Sequence, residues 1–190
     1  MASVVILLRH AEKPRDGSPA RGVTIDGDPD PESLTPRGWQ RAGALVGLFV
    51  QDPSEARSPR LPTPTHLFAS RVGEGSSSRR PHETLLPLSE RLGLDVDSRF
   101  RKEELDALVL AVQAIDGVVL IAWEHHLIPS LAKMLVGNAS SVPQAWPDDR
   151  YDVAWVLEDA GQDGTRGFRE VAEMVLAGDR PNPIGTASAA

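Results

Sequence analysis

The chain has 190 residues, of which 41% are hydrophobic and 25% charged, enough for one globular domain with a sizeable core and too few to expect two. Its formal net charge of −7 argues against broad binding to nucleic acid or to an anionic membrane. With no cysteine, it has no disulfide, no thiolate nucleophile and no thiolate zinc site.

Val4 to Leu8 ("VVILL") is short, apolar throughout and not alternating, which predicts a strand buried on both faces. It is too short for a signal-peptide core, and no apolar run approaches the ~20 residues of a membrane span. The expected location is therefore the cytoplasm. Arg15 to Ser33 is rich in Gly, Pro and Asp and predicts a surface loop, long enough to be functional or mobile. Thr35-Pro36 predicts a helix start, with Thr as N-cap and Pro at the first helical position. That helix runs to about Val50, with Trp39, Ala42, Leu45, Val46 and Phe49 on one face.

"QDPSEARSPRLPTP" reads as a Pro-rich loop, "THLFAS" as a short strand ending at Ser70, and "RVGEGSSS" as a flexible segment. "RPHETLLPLSERLGL" predicts a helix with Leu85, Leu88 and Leu92 as its apolar stripe and Gly93 as its stop. "EELDALVLAVQAI" predicts an amphipathic helix and "GVVLIAW" a second buried strand. "IPSLAKMLVG" is a helix with Pro129 in its first turn and Gly137 past its end. "YDVAWVLED" alternates like a half-exposed strand, and "GFREVAEMVL" fits strand or helix. Residues 1–178 form one domain, and 179–190 read as a disordered tail.

Buried strands alternating with amphipathic helices predict an α/β protein: a three-layer α/β/α sandwich around a mostly parallel sheet. In such sheets ligands sit beyond the carboxyl ends of the strands. Three strands here end on reactive residues. Leu8 leads to Arg9-His10, Ala69 to Ser70-Arg71, and Trp123 to Glu124-His125-His126. An arginine fork matches the oxygens of phosphate or carboxylate, and an imidazole beside it is a base, a metal ligand or a nucleophile. Arg79 and Arg80 precede a helix, whose N-terminal N–H groups also favour an anion. Two His and two Arg suit phosphate better than a cation, which an arginine beside His10 would repel. A metal hydrolase built on the histidines is the weaker alternative.

These elements resemble the histidine phosphatase superfamily, the phosphoglycerate-mutase-like proteins. "VVILLRHAEKP" is similar to its strand followed by Arg-His-Gly/Ala. "LTPRGWQRA" resembles its Leu-Thr-x-x-Gly-x-x-Gln-Ala helix start, with one residue inserted before the Ala. "RPHET" resembles its Arg-x-x-Gln/Glu-Thr element, with Arg80 as the second arginine. "VVLIAWEHHLIPSLAKML" is similar to the strand that ends on the second histidine, here His125, although Glu124 and His126 replace the flanking glycines.

The resemblance implies a phosphomonoester hydrolase in which His10 becomes phosphohistidine and Arg9, Arg80 and His125 hold the phosphoryl oxygens, with no metal and no cofactor. Glu104 is the first choice for the general acid and Glu12 the alternative. Glu12 and Lys13 are tentative substrate-binding residues, and Arg71 is a reserve for Arg80. His66 and His82 are expected to be structural or solvated. The stretch from Arg80 to His125 is short, which favours a phosphatase over a mutase-like phosphotransferase. The Glu-His-His departure also motivates a weakly catalytic phospho-ligand-binding regulator. The expected partner is a phosphorylated small molecule or a phosphoprotein, with no nucleic acid and no membrane.

Overall fold

A computed structural model describes residues 2–50, 61–73, 75–137, 142–159 and 166–184. Along the chain run β1 (Ala2–Arg9), α1 (Pro36–Phe49), β2 (His66–Ala69), α2 (Arg80–Leu92), β3 (Val96–Asp97), α3 (Leu105–Gln113), β4 (Gly117–Trp123), α4 (Ile128–Val136), β5 (Val153–Asp159) and β6 (Arg166–Ala172). The six strands form one sheet in the order β3-β2-β4-β1-β5-β6. β3, β2, β4 and β1 pair in parallel, whereas β5 runs antiparallel to both β1 and β6.

Successive strand side chains point to opposite faces, so the unalternating runs of β1 and β4 feed two cores. On one face Ile6, Leu8, Leu120 and Ala122 pack with Leu45, Leu48 and Phe49 of α1 and Leu85 and Leu88 of α2. On the other, Val5, Leu7, Val119 and Ile121 pack with Leu108 and Val112 of α3 and Leu131 and Leu135 of α4. This is the expected three-layer sandwich. Each such fully buried side chain contributes roughly 1.5–3 kcal/mol, so the double-faced central strands are the most strongly fixed part of the fold. Thr35 caps α1 by accepting from the Gly38 N–H at 3.2 Å, with Pro36 at the first position. Gly93 and Gly137 close α2 and α4 in the left-handed conformation.

The structure differs from the sequence expectation at the antiparallel side. β5 is buried from Val153 to Leu157 rather than half exposed. It lies between β1 and β6, with Trp155 packed on Trp146 and Phe168. "GFREVAEMVL" resolves as strand as far as Ala172, paired antiparallel with β5, and leaves the sheet beyond it. Part of the stretch read as a disordered tail is held in place. The Asp179 carboxylate pairs with Arg41 at 2.7 Å, the Arg180 N–H donates to Asp152, and Arg150 donates to the Asn182 carbonyl. Residues 185–190, most of the Pro-rich loop, and Glu74 of the Gly/Ser segment lie outside the described residues. No helix among the described residues is long and apolar enough to cross a membrane.

Candidate active site

The register places three strand ends at one edge of the sheet. Arg9 lies opposite Trp123, and Ala69 opposite Ala122. The His10 N–H extends the ladder by donating to the Trp123 carbonyl at 3.0 Å. Beyond this edge opens a cavity of about 540 Å³. Its wall includes His10 and Lys13 after β1, Ser76 to Ser78 and Arg80 before and at the start of α2, and Glu124, His125 and His126 after β4. Glu32 from the long loop and Lys102 complete its charged rim. Among the described residues no aliphatic side chain lines it. Formal positive charge from Lys13, Arg80 and Lys102 exceeds the negative charge of Glu32 and Glu124, inside a protein of net charge −7.

His10 is 3% exposed. Its Nδ1 lies 2.8 Å from the Ala11 carbonyl, an acceptor, so Nδ1 carries the proton and Nε2 the lone pair. Burial, and then the charges of Arg9, Arg80 and Lys13, push the imidazole well below its ordinary pKa of 6.5. The backbone around it is braced from two helices. The Ala11 N–H donates to Thr84 Oγ1, whose hydroxyl donates to the Arg80 carbonyl. Glu83 accepts from Ser33 Oγ at 2.7 Å and from the Leu34 N–H at 2.8 Å. The Glu12 carbonyl accepts from Thr35 at its N–H and its hydroxyl. At Gly38 a Cβ would stand 2.5 Å from that same carbonyl, so only glycine lets α1 approach so closely. The Gly, Glu and Thr of the two sequence elements thus position the His10 segment.

The arginines divide the work differently from the sequence expectation. Arg80 reaches the cavity, held by Ser78 Oγ, by the Pro31 and Ser33 carbonyls, and by Glu32 at 3.3 Å. Arg9 does not line it. Its Nη1 donates to the carbonyls of Pro147, Asp148 and Arg150, and its Nη2 to the Tyr151 hydroxyl, with the guanidinium 3.9 Å above the Tyr151 ring. Only its buried Nε has no partner. Arg9 therefore anchors residues 147–151 and supplies charge beside the histidines. His125 faces the cavity, with Nε2 2.5 Å from Asp148 Oδ1. Burial first, and Arg9 second, lower its pKa, against the pull of Asp148.

Glu104 is not at the cavity. It is exposed, and its Oε2 accepts from the Arg101 N–H at 2.8 Å, a local bond at the start of α3. Glu12 also turns away, to Arg41 at 2.9 Å and Arg37 at 3.3 Å. Lys13 does reach the cavity. Arg71 is exposed and outside it. The carboxylates that do reach the cavity are Glu32 and Glu124, neither of them the acid expected from sequence. Glu124 is largely buried, 3.6 Å from Lys102 Nζ and 3.5 Å from His126 Nε2, while its carbonyl accepts the Leu127 and Ile128 N–H groups that start α4. Its position directly before His125 was the available signal. Tyr151 and Asp148 carried none, since their partners are remote in sequence. Among the described residues no group of three or more His, Cys, Asp or Glu is arranged to hold a metal ion.

No family model matches the chain, and no curated protein does. Solved structures do. The "putative phosphohistidine phosphatase SixA" from Agrobacterium tumefaciens superposes with a TM-score of 0.50 at 18% identity, over 89% of this chain and 96% of that one. A mycobacterial glucosyl-3-phosphoglycerate phosphatase complexed with VO3 gives 0.51 at 17% identity, over 90% and 98%. The chain has the fold of these phosphatases over about nine-tenths of its length, and at such low identity the likeness shows the fold alone.

Proposed function

We propose that this protein is a phosphomonoester hydrolase working through a phosphohistidine on His10. One observation carries the reading: a buried, neutral His10 whose Nδ1–H is fixed on a carbonyl and whose Nε2 lone pair is free, in the wall of a cationic cavity. Nε2 attacks phosphorus, the bond to the leaving oxygen breaks, and water then attacks the phosphohistidine to release phosphate. Arg80 and His125 carry charge on the phosphoryl oxygens, and the fixed Arg9 charge beside them strengthens the field.

The proton for the leaving oxygen comes from Glu124, rather than from Glu104 or Glu12. The reading favours Glu124 over Glu32 because Glu32 is paired with the arginine that holds the phosphoryl group. The substrate is a polar phosphorylated molecule, small or protein-borne, because the described cavity wall is predominantly polar and charged.

The test is turnover of an aryl phosphate by wild type and His10→Ala, with trapping of an acid-labile, alkali-stable phosphoprotein. Equal turnover in the two proteins sinks the proposal. A second reading, a phospho-ligand-binding regulator, draws on the commitment of the Arg9 Nη donors to backbone carbonyls. It predicts phosphate-ligand binding without turnover.

A further inference from the structure

A second cavity of about 460 Å³ is bounded by Glu12 and Lys13 just after His10, the start of α1, and residues around Asp149–Asp152 and Gly178–Arg180. It shares Lys13 with the first cavity. Its walls carry four carboxylates and five cations, and their partners decide its sign. Glu12 is taken by Arg41 and Arg37, and Asp179 by Arg41 and the N–H groups of Val175 and Leu176. Asp149 is taken by Arg180, and Asp152 by Arg150 and the Arg180 N–H.

Two cations are left over. Lys13 has no ion pair or hydrogen bond among the described residues. Arg15 makes one long bond, 3.4 Å to the Asp148 carbonyl, and lies 5.3 Å from the Tyr151 ring centre. Ser18 and Thr35 add hydroxyls to the same walls. The carboxylates are neutralised in place, while Lys13 and Arg15 face the cavity.

We propose that this second cavity is a binding site for a compact anion, phosphate or carboxylate in size, held by Arg15 and Lys13. The anion has two possible sources: the far acid group of a substrate whose phosphoryl group sits on His10, or a free anion. Only the first source rests on the proposed function.

The experiment is calorimetric titration of the full chain with inorganic phosphate. Two binding events are expected. Arg80→Gln removes one, and Arg15→Glu weakens the other at least about tenfold, since a charge is reversed at the anion. Arg15 is exposed, so its variants fold. A single event that Arg80→Gln abolishes and Arg15→Glu spares overturns this inference and leaves the proposed function standing. A single event with the opposite pattern supports the inference and removes the phosphate cradle. No event at all overturns the inference.

Turnover then separates the sources. If the anion belongs to the substrate, Arg15→Glu lowers kcat/KM for an aryl phosphate bearing a second acid group and spares phenyl phosphate within about twofold. If it is free, added sulfate acts non-competitively on phenyl phosphate turnover in wild type and only competitively in Arg15→Glu. Identical behaviour of wild type and Arg15→Glu in all these measurements overturns the proposal.

Discussion

His10 and Glu12 are two residues apart, yet they belong to opposite kinds of buried site. Glu12 joins Arg41, Glu173 and Asp179 in a cluster where every charged group has a partner. Arg41 is 3% exposed at its side chain and contacts Glu12 at 2.9 Å, Glu173 at 2.9 Å and Asp179 at 2.7 Å. His10 sits where donors and cations outnumber partners: among the described residues Lys13 is unpaired, and the Arg9 Nε is buried without an acceptor. A saturated cluster binds the fold together, here joining β1, α1 and the C-terminal segment. An unsaturated one is held in readiness for a ligand. The variants below test that division.

The largest effect is expected at His10. His10→Ala should lower turnover by roughly 10⁴-fold or more, because it removes the proposed nucleophile. Its loss of stability should stay within about 1–2 kcal/mol. Stopped-time assays and urea unfolding of the same preparations check both halves. A large loss of stability with activity per folded molecule intact would reverse the assignment of the two regions.

Arg41→Leu should do the opposite. Removing the cation leaves three carboxylates facing each other in the interior, which costs about 3–5 kcal/mol. The urea midpoint should fall steeply, while kcat per folded molecule changes by less than about threefold. Arg41 was also the hardest residue to read. The sequence pattern suggested an extra residue before Ala42, with Gln40 as the matching glutamine. In the structure α1 is uninterrupted, Gln40 is exposed and Arg41 is the inward residue. Its partners lie at positions 12, 173 and 179, and nothing local announces them.

The parallel half of the fold was legible because burial on both faces writes an unmistakable run of apolar residues, as in "VVILL" and "GVVLIAW". The convergence of reactive strand ends followed from that. β5 was misjudged because its alternation comes from the sizes of Ala154 and Trp155, not from exposure. Glu104 is less legible, because a helix-start acid looks the same whether it faces a substrate or bonds its own loop. In the structure the bond to the Arg101 N–H decides where its carboxylate sits, away from the cavity.

That decision yields a smaller, sharper test. Glu124→Gln should lower kcat about 10- to 100-fold on alkyl phosphates and much less on nitrophenyl phosphate, whose leaving oxygen needs no proton. Glu104→Gln should stay within about twofold on both. A leaving-group dependence at Glu104 and none at Glu124 would return the acid to the helix start. It would also make Glu124 a purely structural member of the strand-to-helix turn.

The smallest effect tests whether the saturated cluster is neutralised by a proton as well as by Arg41. Burial pushes the Glu173 carboxyl up to about 8, against the attraction of Arg41 and with the repulsion of Asp179 and Glu12. Its unfolded value is the ordinary 4.5. Between these values the folded state binds more protons than the unfolded one, so stability falls as pH rises and levels off above about 8. His10 and His125 have the opposite sign. Their folded pKa values lie below 6.5, so they reduce stability only as pH drops beneath 6.5. A pH series from 7 to 9 therefore reads Glu173 clear of these two histidines. One proton corresponds to at most about 1.4 kcal/mol per pH unit, so a loss of roughly 1–2 kcal/mol is expected across that window. In Glu173→Gln, which keeps the shape and removes the titration, the slope should vanish. An unchanged slope would mean that Glu173 is already ionised in the folded state, and that Arg41, with Arg37 on Glu12, balances three charges.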